Sequence, residues 1–465
     1  MRHALRPSLE RALQLAIAAT IVTAVLASGA LLSWIGPARK LRWAALAALV
    51  VIALALFRRR HRFVGAEVYA VAAAFIAVAL LSGTWSAFSR LTVGRAIALG
   101  LLFVAAAAVA SAASGGATSV RVPLYGVLGG VAAVGVGGLL VLAFAHDRAV
   151  QPASTSLPAR YQGLGGGPDT ATMVLALGVP LAAFALVDTR RTAARVAAAV
   201  LLLLLLGSIV ASGSRGALAA AFVGLFACAI AFAGSARSRL AAVGAVAVLL
   251  VVAVVGVGIP KPLSHAPATA ANPAGDAATQ ESQFGRPAKP PPRLNASPPP
   301  RLQDDVGHPP FGVADTTKKP RTLFGSSGRG EAWYGALRLA AERATAGFGF
   351  GTEDHVFVDR YVDFNSNVIE DSYLGVFLEL GVVGAALLLS LFVLLARRAL
   401  LAVRSLPLPE LRTAGACAGV VAAGLVLAFF QSYLYAAGNN ATAAFWICAF
   451  LLLAATAGVP RAARV

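Results

Sequence analysis

Three arginines sit where apolar runs give way to glycine, serine and proline. Arg160 lies in Ala159-Arg160-Tyr161-Gln162-Gly163-Leu164 ahead of Pro168-Asp169, Arg215 in Ser212-Gly213-Ser214-Arg215-Gly216, and Arg329 in Gly328-Arg329-Gly330-Glu331-Ala332-Trp333. A guanidinium is a planar fork of N–H donors that meets two phosphate oxygens at once, so arginines so placed are candidate diphosphate ligands. At the centre of a membrane helix an arginine costs about 2.5–3.5 kcal/mol. Arg215, held between two apolar runs with almost no loop, therefore belongs at the interface or facing a polar cavity. Arg329 opens a helical stretch, and a helix N-terminus favours anions. Each has a plainer reading: Arg215 as a snorkelling turn residue, Arg329 as a solvated partner of Glu331, and the glycines after Arg160 as an ordinary turn.

Glu370-Asp371-Ser372-Tyr373-Leu374 enters a later apolar run, with Glu379-Leu380-Gly381 inside it. Adjacent carboxylates at an apolar boundary suit general-base work, because desolvation and mutual repulsion raise their affinity for protons. The alternative is a solvated pair at a helix start, favoured by the macrodipole. Glu370 is the stronger base candidate and Asp371 the weaker. Glu379 lies deeper and is read either as functional or as the structural partner of an arginine. His355 reads as structural or solvated. His265 and His308 fall in a Pro-rich stretch and His146 stands alone, so no histidine shows metal-ligand spacing. Cys228, Cys417 and Cys448 all lie in apolar runs and indicate no disulfide framework.

The elements that must position these groups are membrane helices. Of the 465 residues 58% are hydrophobic and only 13% charged, with a mean hydropathy of +0.77. Soluble domains carry about a quarter charged residues, which excludes an ordinary water-soluble enzyme. A bilayer core needs about 20 apolar residues per helix, and on that ruler about twelve spans emerge, at roughly 12–34, 41–57, 66–85, 96–112, 122–145, 170–187, 196–213, 216–233, 240–259, 373–396, 413–436 and 440–458. The first run is too long for a usual signal h-region and reads as an uncleaved span. Small residues such as Gly126, Gly130 and Gly138 suit close helix packing.

The net charge of +19 is an orientation signal before it is a nucleic-acid signal. With a cytoplasmic N-terminus, the inside loops collect Arg58, Arg59, Arg60 and Arg62, then Arg190, Arg191 and Arg195, then Arg397, Arg398 and Arg404. The short outside loops hold fewer. Both termini are thus expected in the cytoplasm, and the long segment 260–372 outside.

Four parts follow: spans one to nine over 1–259, a Pro/Ala-rich linker over 260–322, an ordered helical segment over 323–372, and spans ten to twelve with the tail over 373–465. The linker, with Pro290-Pro291-Pro292 and Pro298-Pro299-Pro300, is expected to be extended or disordered. Over 329–346, Trp333, Ala336, Leu337 and Ala340 recur at helical spacing, which predicts an amphipathic helix on the membrane body. It ends at Gly347, and Phe348-Gly349-Phe350-Gly351 makes a turn-prone exit.

Together these motifs resemble the O-antigen ligase and polysaccharide polymerase superfamily over about 70–465, the Pro-rich stretch excepted. The resemblance is carried by Ser82-Gly83-Thr84-Trp85-Ser86, Arg160-Tyr161-Gln162-Gly163 with Pro168, Ser212-Gly213-Ser214-Arg215-Gly216, Gly328-Arg329 with Trp333, Gly347-Phe348-Gly349-Phe350-Gly351, and Ser372-Tyr373-Leu374 with Glu379, Gly381 and Gly384, in that order. It implies an all-α polytopic protein with one large, partly helical extracytoplasmic loop. It also implies glycosyl transfer at the outer face of a bacterial plasma membrane, from an undecaprenyl-diphosphate-linked glycan to a cell-envelope glycan or lipid acceptor, with no metal, no cofactor and no nucleic acid. Arg215 and Arg329 match the family arginines that hold the diphosphate; Arg160, Trp333 and Tyr373 join the substrate-binding set. Ligases of this family carry His-Asn before the Ser-Tyr-Leu element. Here Glu370-Asp371 stands in that place, so Glu370 is the expected base, and a polymerase or a ligase with another acceptor fits as well as a lipopolysaccharide ligase.

A multi-pass transporter is the main alternative class, with a flippase for lipid-linked oligosaccharides beside it. A two-halves transporter predicts internal repeats and a large loop after span six, whereas here the large loop follows span nine. Metal-dependent polyprenyl-donor glycosyltransferases usually carry acidic residues in the first outer loop. The expected loop, Gly36 to Arg42, has none.

Overall fold

The computed structural model describes residues 5–29, 31–152, 159–233, 235–257, 329–357 and 368–458. The Pro-rich stretch 260–322 lies outside them, as does its expected extended character. The protein is a polytopic all-α membrane protein. Its helices are α1 (Leu5–Ala27), α2 (Leu32–Arg59), α3 (Ala66–Leu81), α4 (Ser89–Ser114), α5 (Arg121–Phe144) and the short α6 (His146–Ala149). After the strands β1 (Val150–Gln151) and β2 (Arg160–Tyr161) come α7 (Pro168–Asp188), α8 (Thr192–Ser212), α9 (Arg215–Phe232) and α10 (Ala236–Val257). The last group is α11 (Arg329–Ala341), α12 (Glu353–Val356), α13 (Ser372–Ser405), α14 (Leu408–Leu427) and α15 (Thr442–Ala455).

Among the described residues ten helices are long and apolar enough to cross a membrane, and α15 is a shorter apolar helix. The expected twelve are therefore not all met as full-length spans. The first two expected boundaries also move. Span one ends at Ala27, and the segment expected as the first outer loop, Gly36 to Arg42, lies inside α2 with Pro37 in its second turn. Hydropathy cannot see the Ser28-Gly29 turn, because Leu31, Leu32, Trp34 and Ile35 continue the apolar run into the next helix.

The bundle packs small residues at close helix contacts and leaves some large apolar side chains facing outward. On α8, Val196, Val200 and Leu203 are exposed while Leu205 and Ile209 are buried. Gly126 and Gly130 of α5 let α1 approach, since a Cβ at either would lie 3.0 Å from the α1 backbone at Gln14 or Ala18. Loops from distant segments knit one end together. Gly29 bridges Gly165, Ser28 donates to Asn440, Asn440 donates to the Thr170 carbonyl, and Trp85 donates to the Ala346 carbonyl. The opposite end carries exposed Arg58, Arg59 and Arg60, together with a buried Arg398 that bonds Glu67 at 2.5 Å.

The Gly347–Gly351 run is more than a turn. Helix α13 breaks at Gly381 (φ 63°, ψ −159°), and the chain from Ala344 to Gly349 takes up the backbone groups that the break releases. Phe348 N–H donates to the Leu378 carbonyl at 3.0 Å, Gly349 N–H to Glu379 O at 2.9 Å, and Val382 N–H to Ala344 O at 2.7 Å. Irregular backbone inside a membrane protein persists only where such partners satisfy it. A Cβ at Gly381 would meet the Thr345 carbonyl at 2.4 Å, and its φ disfavours every L side chain. Gly381→Ala is accordingly expected to lose about 1–3 kcal/mol, read as a lower melting temperature in detergent; an unchanged melt would show that the break is not strained.

Helix α11 lays Ala332, Ala336 and Ala340 against Ile369, Leu378 and Phe357, with Trp333 packed beside them. Leu337, expected on the buried face, is 45% exposed. The i, i+4 row of alanines sets the seam, and a small-residue row is a weaker hydropathy signal than leucine.

Candidate active site

Arg160 is built in by its neighbours. β2 pairs antiparallel with β1, matching Gln151 to Arg160 and Val150 to Tyr161; this short hairpin holds an arginine expected in a glycine-rich loop. The Arg160 side chain is buried, and its Nε donates to the Ser212 carbonyl at 2.7 Å while one terminal nitrogen contacts Asp169 Oδ1 at 3.4 Å. Helix α8 stops at Ser212 because Gly213 adopts the left-handed cap (φ 62°, ψ 21°). The same reversal starts α9 on Arg215. The Ser-Gly-Ser-Arg-Gly motif thus does two things: it offers a carbonyl that fixes Arg160, and it presents Arg215 at a helix start.

Arg215 is half-buried and within electrostatic reach of Arg329, Arg160 and Asp169. Three arginines from three distant segments therefore crowd one region. Like charges so arranged repel, and an anion between them relieves the repulsion.

Arg329, the first residue of α11, donates through Nε (3.1 Å) and a terminal nitrogen (2.6 Å) to Glu370 Oε2. Glu370 is the one described non-glycine residue with positive φ, 55°, a conformation that costs about 1–3 kcal/mol and gathers at functional sites. Trp333 Nε1 donates to the Ile369 carbonyl at 3.2 Å and pins the residue before it. Asp371 caps α13: its Oδ1 accepts from the backbone N–H of Tyr373 (2.8 Å) and Leu374 (2.9 Å). Burial pushes the Asp371 carboxyl up, opposed by those two N–H groups. Tyr373 donates its hydroxyl to the Leu425 carbonyl at 2.7 Å and packs on Phe429. Trp333 and Tyr373 thus have their polar atoms committed to backbone carbonyls in this structure.

A residue that sequence reasoning missed lies behind Glu370. Glu353 is buried, and its carboxylate accepts from Ile369 N–H at 2.5 Å, from Ser432 Oγ at 2.8 Å and from the Tyr435 hydroxyl. Ser432 Oγ also accepts from Asp371 N–H at 3.2 Å. The only sequence signal was its place just after the glycine run. Burial pushes the Glu353 carboxyl up to about 7, against the downward pull of the hydrogen bonds from Tyr435, Ser432 and Ile369. The folded carboxyl thus holds its proton more tightly than the ordinary value of 4.5. It contributes stability that is complete below that value and is lost as pH rises through about 7, on the order of 3 kcal/mol. The melting temperature is expected to fall between about pH 5 and pH 7.5, with a shallower fall in Glu353→Gln; an equal slope would remove Glu353 as the cause.

Arg95, in α4, grips Asp354 with both terminal nitrogens, at 2.8 and 2.9 Å, while also meeting the Gly351 carbonyl. Burial favours the protonated form of Asp354, yet the Arg95 guanidinium outweighs it and holds the carboxyl below its usual range. His355 hydrogen-bonds Asp354 at 2.9 Å and packs on Phe88, in keeping with its structural or solvated reading. Among the described residues no group of three or more His, Cys, Asp or Glu is arranged to hold a metal ion.

Residues 200–389 match the family model described as O-antigen ligase. Over that stretch, less than half of its length, the chain is similar to O-antigen ligases. No curated protein matches the chain. The O-antigen ligase match includes Arg215, Arg329, Glu353, Glu370 and Glu379, while Arg160 precedes it. The arginine cluster is therefore assembled from inside and outside the matched residues, and the link is the Arg160 contact to Ser212.

Proposed function

We propose that this protein transfers a glycan from a polyprenyl-diphosphate donor to an acceptor hydroxyl at the outer face of the bacterial plasma membrane, with both termini in the cytoplasm. The family match supports O-antigen ligase-like glycosyl transfer in general terms. The observation that carries the finer reading is the convergence of Arg160, Arg215 and Arg329 at one end of the bundle, with Glu370 on Arg329. Such a cluster suits a diphosphate, which takes two or three guanidinium forks.

Chemically, the acceptor oxygen attacks the anomeric carbon of the donor glycan, and its proton passes to the Glu370 carboxylate. The bond between that carbon and the diphosphate oxygen breaks, and its electron pair leaves with the diphosphate. Arg215 and Arg329 offset the charge growing on the leaving group, since preorganised cations act most strongly where charge develops. Arg160, fixed by Ser212, steadies the cluster. The Arg329 ion pair orients Glu370 towards the same region.

The test is incubation of the purified protein with a defined polyprenyl-diphosphate glycan and a candidate acceptor. The expected result is release of polyprenyl diphosphate with a lengthened or relocated glycan. Intact donor appearing on the opposite leaflet of a proteoliposome, with no bond broken, would overturn the proposal.

A further inference from the structure

A cavity of about 300 Å³, separate from the arginine cluster, is walled by Arg42 and Trp43 of α2, Arg95 of α4, Glu353, Glu379 and Tyr435 among others. Two of its wall residues are unfinished. Glu379 is 1% exposed, and its Oε2 has no hydrogen-bond partner among the described residues; its Oε1 accepts from Glu353 N–H at 3.1 Å. Arg42 Nε is likewise buried without a partner there, although the guanidinium reaches the Gly438 carbonyl at 3.4 Å and stacks 4.8 Å over Trp43. One orphan is an acceptor and the other a donor. Buried polar groups are seldom left so, which points to a ligand able to both donate and accept.

The wall charges narrow the chemistry. Arg42 and Arg95 disfavour an inorganic cation, while Glu353, Asp354 and Glu379 disfavour a phosphate. A neutral, hydroxyl-rich molecule suits both, and an indole beside polar groups is a surface for the apolar face of a sugar ring. The volume is at the small end of ligand pockets, about 300–1,000 Å³, and suits a single sugar ring better than a lipid chain. The cavity also shares Glu353 with the segment bearing Glu370, through Ile369 N–H and Ser432.

The geometry points to a saccharide subsite in this cavity, seating the acceptor ring whose hydroxyl is to react, with Glu379 Oε2 and Arg42 Nε meeting its hydroxyl groups. The inference rests on the glycosyl-transfer reading for the word acceptor, but binding itself does not. Two variants test it: Glu379→Gln, which keeps the shape, and Trp43→Ala, which alters a half-exposed side chain and spares the core. Binding of methyl glucoside, methyl galactoside, methyl mannoside and methyl N-acetylglucosaminide to the full protein, without donor, is followed by tryptophan fluorescence and calorimetry. At least one is expected to bind, with affinity about tenfold weaker in either variant. In the transfer assay the variants are expected to raise the acceptor KM about tenfold while the donor KM holds. Wild-type protein that transfers glycan yet binds none of the four sugars, or variants that shift the donor KM alone, would overturn the subsite. Sugar binding without transfer would keep the subsite and refute the enzyme reading instead.

Discussion

Arg215→Ala and Arg329→Ala each lower glycan transfer by about 100-fold or more in kcat/KM, the loss seen when one preorganised donor to a developing anion is removed. Arg215→Ala is not expected to harm folding, whereas Arg329→Ala loses the ion pair to Glu370. Arg215 stands within electrostatic reach of Arg160 and Arg329, which oppose its charge, and of Asp169, which favours it, so removing it lessens the repulsion among the arginines. Inorganic pyrophosphate supplies an independent readout. Bound to the wild-type cluster it raises the melting temperature; in either variant this rise is expected to shrink or vanish. Arg329→Ala should be the more damaging for rate, because it also releases Glu370 from the 2.6 Å ion pair. Lysine restores charge but not the bidentate fork, so Arg215→Lys should recover only part of the activity. Full activity in both alanine variants would refute the site.

Glu370→Gln is expected to slow transfer by about 10²–10⁴-fold, the range ascribed to a positioned general base, with a small effect on donor affinity. Glutamine keeps the volume and one acceptor oxygen but takes no proton at neutral pH. Competing carboxylates nearby are engaged elsewhere: Asp371 caps α13 and Asp354 is gripped by Arg95. The strained φ of Glu370 offers a control. Glu370→Gly should relieve the backbone strain but lose the Arg329 ion pair, abolishing activity. An unaltered rate in Glu370→Gln would take the base role away from this residue.

Much of the architecture was legible in the chain. Transfer of apolar side chains into lipid is a local sum, so runs of 18 residues or more identified most spans, and Arg215 at a boundary between two of them stood out by its insertion cost. Arg329 at a helix start and Glu370 at the mouth of α13 were visible for similar reasons. Even there the sums failed at turns made of small apolar residues: Ser28-Gly29 ends α1 unseen, and α15 is too short to span by length alone.

What the tertiary structure alone decided is partnership. That Arg329 pairs with Glu370, that Arg160 is anchored by a carbonyl 52 residues away, and that the glycine run enters the break in α13 are all outcomes of helix packing. So is the meeting of Glu353, Ser432, Tyr435 and Glu379 around one cavity. Hydropathy and motif spacing describe each residue against solvent or its chain neighbours. The strength of a buried charge or hydrogen bond depends instead on which atoms stand within about 3 Å across the bundle, and no one-dimensional pattern carries that distance.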